Sequence, residues 1–331
     1  MKSKIIIIKV DADNKIGMGH FYRTINLANE LRKYHHKIFF LTTSTIVKKM
    51  LPSYYKCIFL QKNSVKNEIK KITKLPADIV IIDKHAEKTS IIKALQKNCK
   101  KIIGLDYTSS NKNLLSFSIN MLYPKTGFNS KKTISGLELS ILNDAFKKSK
   151  PIFIKKNVES ILVVQGGSDT LCFVPQIINL LNNLETNYKI TVVLGPSFKC
   201  WSKLDKALQK NKKSIKIFHK VKNMNHEMKK HDLAITGGGM TLLELCCLGI
   251  PSLVVCAEKF EEETAKLLER KGFGMNLEFN RILSKQRFLK VSNQLLSSYP
   301  LRRNMNTIGR NLVDGKGSER VSKLINELIE K

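Results

Sequence analysis

Ile16-Gly17-Met18-Gly19-His20 lies between the apolar run Ile5 to Ile8 and an amphipathic run that begins near Phe21. With a strand before it and a helix after it, the segment is a strand-to-helix loop. The glycines Gly17 and Gly19 let the backbone turn tightly there, which brings His20 to the mouth of the loop. Open α/β sheets bind their ligands at such loops, outside the carboxyl ends of the strands. A second cluster, Gly237-Gly238-Gly239, recurs in the same strand-to-helix setting in the other half of the chain. The pattern predicts two such sheets facing one cleft.

Apolar runs of strand length support that reading along the whole chain. Strands are predicted at 4–10, 37–42, 56–60, 78–83, 101–105 and 117–121, then at 160–165, 189–194, 215–218, 232–236 and 251–256. Helical periodicity fills the gaps, as at 20–34, 240–249 and 261–271. Nearly continuous apolar strands such as Ile79-Val80-Ile81-Ile82 argue for parallel sheets covered on both faces. The predicted class is therefore α/β, two Rossmann-like halves, with domains at 1–150 and 151–331. The boundary is drawn through 147–159, where lysines and Pro151 interrupt the periodicity. Val321, Leu324, Ile325, Leu328 and Ile329 give the tail 316–330 the spacing of a docked helix, assigned to the second domain.

Composition narrows the class. With 331 residues and 42% hydrophobic content the chain can bury two cores. Its apolar runs fall short of the ~20 residues of a membrane span, and Ile5 to Ile8 is too short for the ~7–15-residue core of a signal peptide. Cytoplasmic residence is the default expectation. Cys57, Cys99, Cys172, Cys200, Cys246, Cys247 and Cys256 are odd in number and form no C-x-x-C pair, so reduced thiols are expected. The net charge of +31 comes from lysines spread along the chain, which reads as a solvated surface and not as a nucleic-acid site. It can still draw the protein towards anionic lipid or an acidic substrate. Histidine spacing gives no metal motif, no cofactor is implied, and a monomer is expected.

His20 has two readings. It is a helix-start residue whose ring bonds to backbone, or a general base taking a proton from an attacking water or hydroxyl. Its place beside the predicted cleft favours the base. Arg23 follows on the same helical face, where it either contacts a phosphate or pairs with Asp11 or Asp13. Asp83-Lys84-His85 and Asp106-Tyr107 also fall at carboxyl ends of strands, as ligand-side residues or as caps and turns. In the second half, Gly237-Gly238-Gly239-Met240-Thr241 exposes backbone N–H groups at a helix start, which suits a diphosphate. Glu244, one turn further, can accept hydrogen bonds from both hydroxyls of a ribose. In Gln165-Gly166-Gly167-Ser168-Asp169 the glycines permit close approach of a ligand, while Asp169 reads as a helix cap.

Taken in order, these motifs resemble a known family. Val10-Asp11-Ala12-Asp13 through His20 and Arg23, then Gln165 to Asp169, then Gly237 to Glu244 with Leu248-Gly249-Ile250-Pro251, look like the signatures of the pseudaminic-acid pathway UDP-sugar hydrolases and the related spore-coat polysaccharide proteins. The second glycine region is also similar to that of the peptidoglycan N-acetylglucosaminyltransferase, a relative with the GT-B fold. The resemblance implies a GT-B fold and hydrolysis of UDP-2,4-diacetamido-2,4,6-trideoxy-β-L-altropyranose to UDP and free sugar, without metal. It makes His20 the group that activates water and Glu244 the ribose carboxylate. Backbone around Val221 would face uracil, and N–H groups at Gly166-Gly167 and Gly237-Gly239 would hold the leaving diphosphate.

The chain departs from the family pattern at three places. Asp83-Lys84-His85 puts His85 where an active-site tyrosine is expected, Ile141-Leu142-Asn143-Asp144-Ala145-Phe146 lacks an arginine, and Phe260-Glu261 replaces an amide pair that contacts sugar. The alternatives to hydrolysis are a glycosyltransferase using a UDP-sugar donor and an inactive UDP-sugar-binding relative.

Overall fold

A computed structural model describes residues 3–12, 18–61, 64–122, 131–219 and 221–330. Gly17 lies outside the described residues, as do Ile16 and Asp13. The chain divides into two compact units, residues 1–143 together with 316–331, and residues 144–315.

In the first unit the strands are β1 (Ile5–Val10), β2 (Lys37–Thr42), β3 (Lys56–Phe59), β4 (Ala77–Asp83), β5 (Cys99–Leu105), β6 (Phe117–Asn120) and β7 (Thr133–Ser135). They form one seven-stranded parallel sheet in the order β3-β2-β1-β4-β5-β6-β7. Its helices are α1 (Gly19–Arg32), α2 (Thr45–Met50), α3 (Val65–Ile72) and α4 (Thr89–Gln96). Ile6, Ile7 and Ile8 of β1 and Val80, Ile81 and Ile82 of β4 are buried, as expected of a sheet covered on both faces. The strand order reverses between β1 and β4, whose register pairs Val10 with Asp83. Asp11, Asp83 and Lys84 therefore come together at a topological switch point.

The second unit contains α5 (Asp144–Lys147), β8 (Ser160–Val164), α6 (Phe173–Leu181), β9 (Lys189–Leu194), α7 (Trp201–Gln209), β10 (Ile215–His219) and α8 (Met224–Met228). It continues with β11 (Leu233–Thr236), α9 (Met240–Leu248), β12 (Ser252–Val254), α10 (Lys259–Arg270), β13 (Met275–Asn276), α11 (Lys285–Ser297) and α12 (Tyr299–Leu312). Its six strands run parallel in the order β10-β9-β8-β11-β12-β13, with the switch point between β8 and β11. The loops that open with Gly166 and Gly237 flank it.

Three details differ from the sequence reading. β7 and β13 were not anticipated, because two or three residues are too few to show a period. Cys172 and Cys200 are joined by a disulfide, where reduced thiols were expected. Twenty-eight residues separate them, so no local spacing reveals the pair; the pairing of β8 with β9 brings the loops that follow these strands together. The other five cysteines are free.

The third difference is the tail, α13 (Gly317–Glu330), which belongs to the first unit and not the second. The unit boundary falls at Asn143, ahead of the expected 150. Val321 and Ile325 of α13 are fully buried, and Asn326 Oδ1 bonds to His36 Nε2 at 3.1 Å. Ser318 Oγ donates to the Leu142 carbonyl at 3.0 Å, and a side chain at Gly317 would collide with the Ser140 carbonyl. Ile325→Ala is expected to destabilise the first unit by about 2–5 kcal/mol. Hydrogen exchange should quicken in β1, β2 and α1 and stay unchanged in β8 and β9; uniform change would contradict this assignment of the tail.

Candidate functional site

At the first switch point α1 opens on Gly19, whose backbone is exposed, and places His20 in its first turn. His20 Nδ1 lies 2.7 Å from Asp83 Oδ1 at the end of β4. A carboxylate only accepts, so Nδ1 carries the proton and Nε2 is left as the basic nitrogen. Arg23 Nη2 is also 3.2 Å from Nδ1, but a guanidinium cannot accept that proton. Asp83 is fully buried. Burial works to raise its pKa, yet the Arg23 cation and the His20 contact outweigh this and bring it down to about 2.

Arg23 is the hub of the cluster. Its Nε donates to Asp83 Oδ2 at 2.7 Å, Nη2 bonds to Asp83 Oδ1, and Nη1 bonds to Asp106. Burial lowers its pKa and the two carboxylates more than compensate, so the guanidinium stays charged. This corrects the expectation of a substrate contact or of pairing with Asp11: the group is 2% exposed and its nitrogens are committed within the protein. Asp106 takes the left-handed turn expected of a loop residue, with φ of +48°. Its Oδ1 accepts from the Met121 and Leu122 amides at 2.7 and 2.9 Å.

His85 meets His20 edge to face, ring centroids 5.0 Å apart. Burial first, then the neighbouring His20 and Arg23, lowers its pKa and keeps the imidazole neutral. Lys84 turns to Asp11 at 2.9 Å and Glu87 at 3.0 Å. Burial opposes its charge, but these carboxylates push its pKa up to about 12. Asp11 also accepts from Thr42 Oγ1 and the Thr43 amide. Glu87 is shared with the buried Lys9, itself paired to Glu68. These ion pairs escaped the sequence because they depend on β1 and β4 being neighbours.

The second switch point carries fewer charges. Gly166 has φ of +63° and nothing within 4 Å of the position a side chain would take, so it combines a required glycine with open space. Gly167 and Ser168 are half-buried beside it. Asp169 caps α6, accepting from the Phe173 and Val174 amides at 2.7 and 2.9 Å. The buried Gln165 Nε2 and Thr236 Oγ1, at the ends of β8 and β11, have no hydrogen-bond partner among the described residues.

Gly239 caps α9, and Met240, Thr241 and Glu244 are half-buried on its first turns. Among the described residues no hydrogen bond or ion pair holds the Glu244 carboxyl, and burial raises its pKa from 4.5 to about 7. Glu261, in the first turn of α10, accepts from the Ala257 amide at 2.8 Å. A side chain at Gly238 would strike Glu261 and Cys256. The glycine therefore makes room for the Cβ and carbonyl of Glu261, while a Glu261 carboxylate oxygen lies 3.2 Å from the position a side chain at Gly239 would take. Val221 is half-buried between β10 and α8. Among the described residues no three His, Cys, Asp or Glu groups converge as metal ligands.

Residues 160–307 match the glycosyltransferase family 28 C-terminal domain. An uncharacterized protein from Methanocaldococcus jannaschii, MJ1062, is 34% identical over 278 residues, 78% of this chain and 57% of the relative. The spore coat polysaccharide biosynthesis protein SpsG of Bacillus subtilis is 29% identical over 198 residues, 59% of this chain and 58% of the relative. The matches thus span a little over half the length of these relatives. The crystal structure of MurG from Acinetobacter baumannii aligns with a TM-score of 0.71 at 16% identity, covering 98% of this chain and 99% of that one. No helix among the described residues is long and apolar enough to cross a membrane. The chain has the GT-B fold, two Rossmann-like α/β domains with parallel sheets, and its second unit carries the match to glycosyltransferase family 28.

Proposed function

We propose that the chain is a UDP-sugar hydrolase in which the first unit supplies the base and the second binds the nucleotide. The observation that carries the proposal is the clamped imidazole: His20 Nδ1 faces Asp83, whose other contacts are to the fully buried Arg23. Such a clamp fixes one tautomer and stabilises the imidazolium formed when Nε2 takes a proton. In the proposed step a water oxygen attacks the anomeric carbon while His20 Nε2 accepts its proton. The bond between that carbon and the diphosphate oxygen breaks, and its electron pair leaves with UDP. Neutral His85, beside His20, is placed to orient the water or a sugar hydroxyl.

On the nucleotide side, Glu244 is a carboxylate that burial destabilises and that no group among the described residues compensates. Two ribose hydroxyls would supply the missing hydrogen bonds. Open backbone at Gly166, with Gly167 beside it, and the start of α9 at Gly239 would carry the diphosphate. Thr241, Met240, Ser168 and backbone at Val221 complete the nucleotide contacts in this reading. The sugar proposed is the 2,4-diacetamido-2,4,6-trideoxy hexose of the resembling hydrolases, with Glu261 and His85 as the positions at which this chain departs from their pattern. A glycosyltransferase reading is favoured by the match of residues 160–307; it differs only in replacing water with an acceptor hydroxyl.

Purified protein incubated with UDP-sugars should release UDP in the absence of an acceptor. His20→Ala should cut that rate by about 10²–10⁴-fold while UDP affinity is retained. Release that requires an added acceptor would establish the transferase instead.

Glu244→Ala should weaken UDP binding by about 1–3 kcal/mol, measured by calorimetry; unchanged affinity would remove Glu244 from the site.

A linked pH effect follows from the sign of the shift. The folded pKa is raised, so the ligand-free protein loses stability as pH climbs from about 4.5 to about 7 and levels off above it. Glu244→Gln should therefore raise the thermal midpoint at pH 8 and leave it unchanged near pH 4. No gain at pH 8 would mean the carboxylate is better solvated than its burial implies.

A further inference from the structure

Residues 31–61 contain Arg32, Lys33, Lys37, Lys48, Lys49 and Lys56 and no aspartate or glutamate. The stretch folds as β2, α2 and β3, and β3 is the outer strand of the first sheet. The nearest acid on its amino side, Glu30, is buried and already paired with Lys33. The 31–61 stretch thus carries six cations and no acid of its own.

That stretch also presents apolar side chains. α2 buries Val47 and leaves Lys48, Lys49 and Met50 outside, with Met50 45% exposed. The turn that follows, closed by the Tyr55 amide on the Pro52 carbonyl, sends Tyr55 inward to Asn29 and Tyr54 outward, 57% exposed. Arg32 lies 4.9 Å over the Tyr54 ring and Lys48 lies 4.8 Å over Phe59, so the cations are gathered around the apolar tip. An amphipathic tip with a tyrosine at its border and lysines around it has the chemistry of the lipid–water interface.

We propose that the α2–β3 edge, centred on Lys48, Lys49, Met50 and Tyr54, docks on an anionic phospholipid surface. A polynucleotide would satisfy the charge but has no use for Met50, and the face of Tyr54 that a base would stack on is shared with Arg32. Lysine predominates among the cations, which suits a headgroup layer more than bidentate phosphate recognition. The proposal stands apart from the UDP-sugar reading and survives or fails without it.

The test is flotation of the purified chain with vesicles of phosphatidylcholine containing roughly one quarter phosphatidylglycerol, against pure phosphatidylcholine, at about 0.1 M salt. Binding is expected to the anionic vesicles only. Each lysine near the surface contributes roughly fivefold in partitioning, so Lys48→Gln with Lys49→Gln should lower it by about 25-fold. Met50→Ser with Tyr54→Ser should lower it by about tenfold or more, with the melting curve and UDP affinity unchanged. Lys203→Gln with Lys206→Gln on α7 removes the same charge elsewhere and should have no effect. Equal loss in that control would assign the attraction to net charge and overturn the proposal. It is likewise overturned by an absence of binding to anionic vesicles, or by binding to single-stranded DNA that needs Lys48 and Lys49 but not Met50 and Tyr54.

Discussion

The first unit is organised around one buried cation. Arg23 sits between Asp83 and Asp106, and the three groups tie α1 to the ends of β4 and β5. Two carboxylates cannot be buried side by side without a cation between them, and breaking such a set costs about 3–5 kcal/mol because it strands a charge. His20 is oriented by the same arrangement, since Asp83 can hold its Nδ1–H only while Arg23 keeps that carboxylate ionised. Structure and proposed chemistry thus depend on a single ion cluster. A second network of Lys9, Glu68, Glu87, Lys84 and Asp11 braces the same ends of β1 and β4.

The two switch points solve the problem of a polar loop end in opposite ways. In the first, every described carboxylate is matched by a cation. In the second, Glu244 and Glu261 are left to burial, which raises both pKa values, with only backbone amides to offset it at Glu261. A site with uncompensated acceptors is prepared for a ligand that brings donors, as a ribose does. A site whose charges are already balanced is suited to holding an imidazole still.

Much of this was legible in the sequence, because hydrophobic runs report strands directly. The predicted strand at 37–42 matches β2 residue for residue, and 189–194 matches β9. The helix starts at His20 and Gly239 and the turn at Gly166 were also readable, since glycine marks where the backbone turns after a strand. Arg23 was misplaced for a physical reason: its partners Asp83 and Asp106 are 60 and 83 residues away, and strand order decides which acids it meets. Glu261 filling the space over Gly238 was hidden in the same way, since a helix N-terminal glycine looks alike whether a ligand or a side chain covers it. The Cys172–Cys200 bridge and the destination of α13 are likewise facts of three-dimensional adjacency.

The return of α13 to the first sheet has a temporal meaning. The second unit is an insertion within the first, so the first domain is discontinuous in the chain. A ribosome makes the seven strands of that domain early, yet Val321 and Ile325, which seal its core, emerge only after the whole second unit. During synthesis the continuous second unit can complete itself before the first. The first unit lacks the contacts of α13 until the second unit has been made.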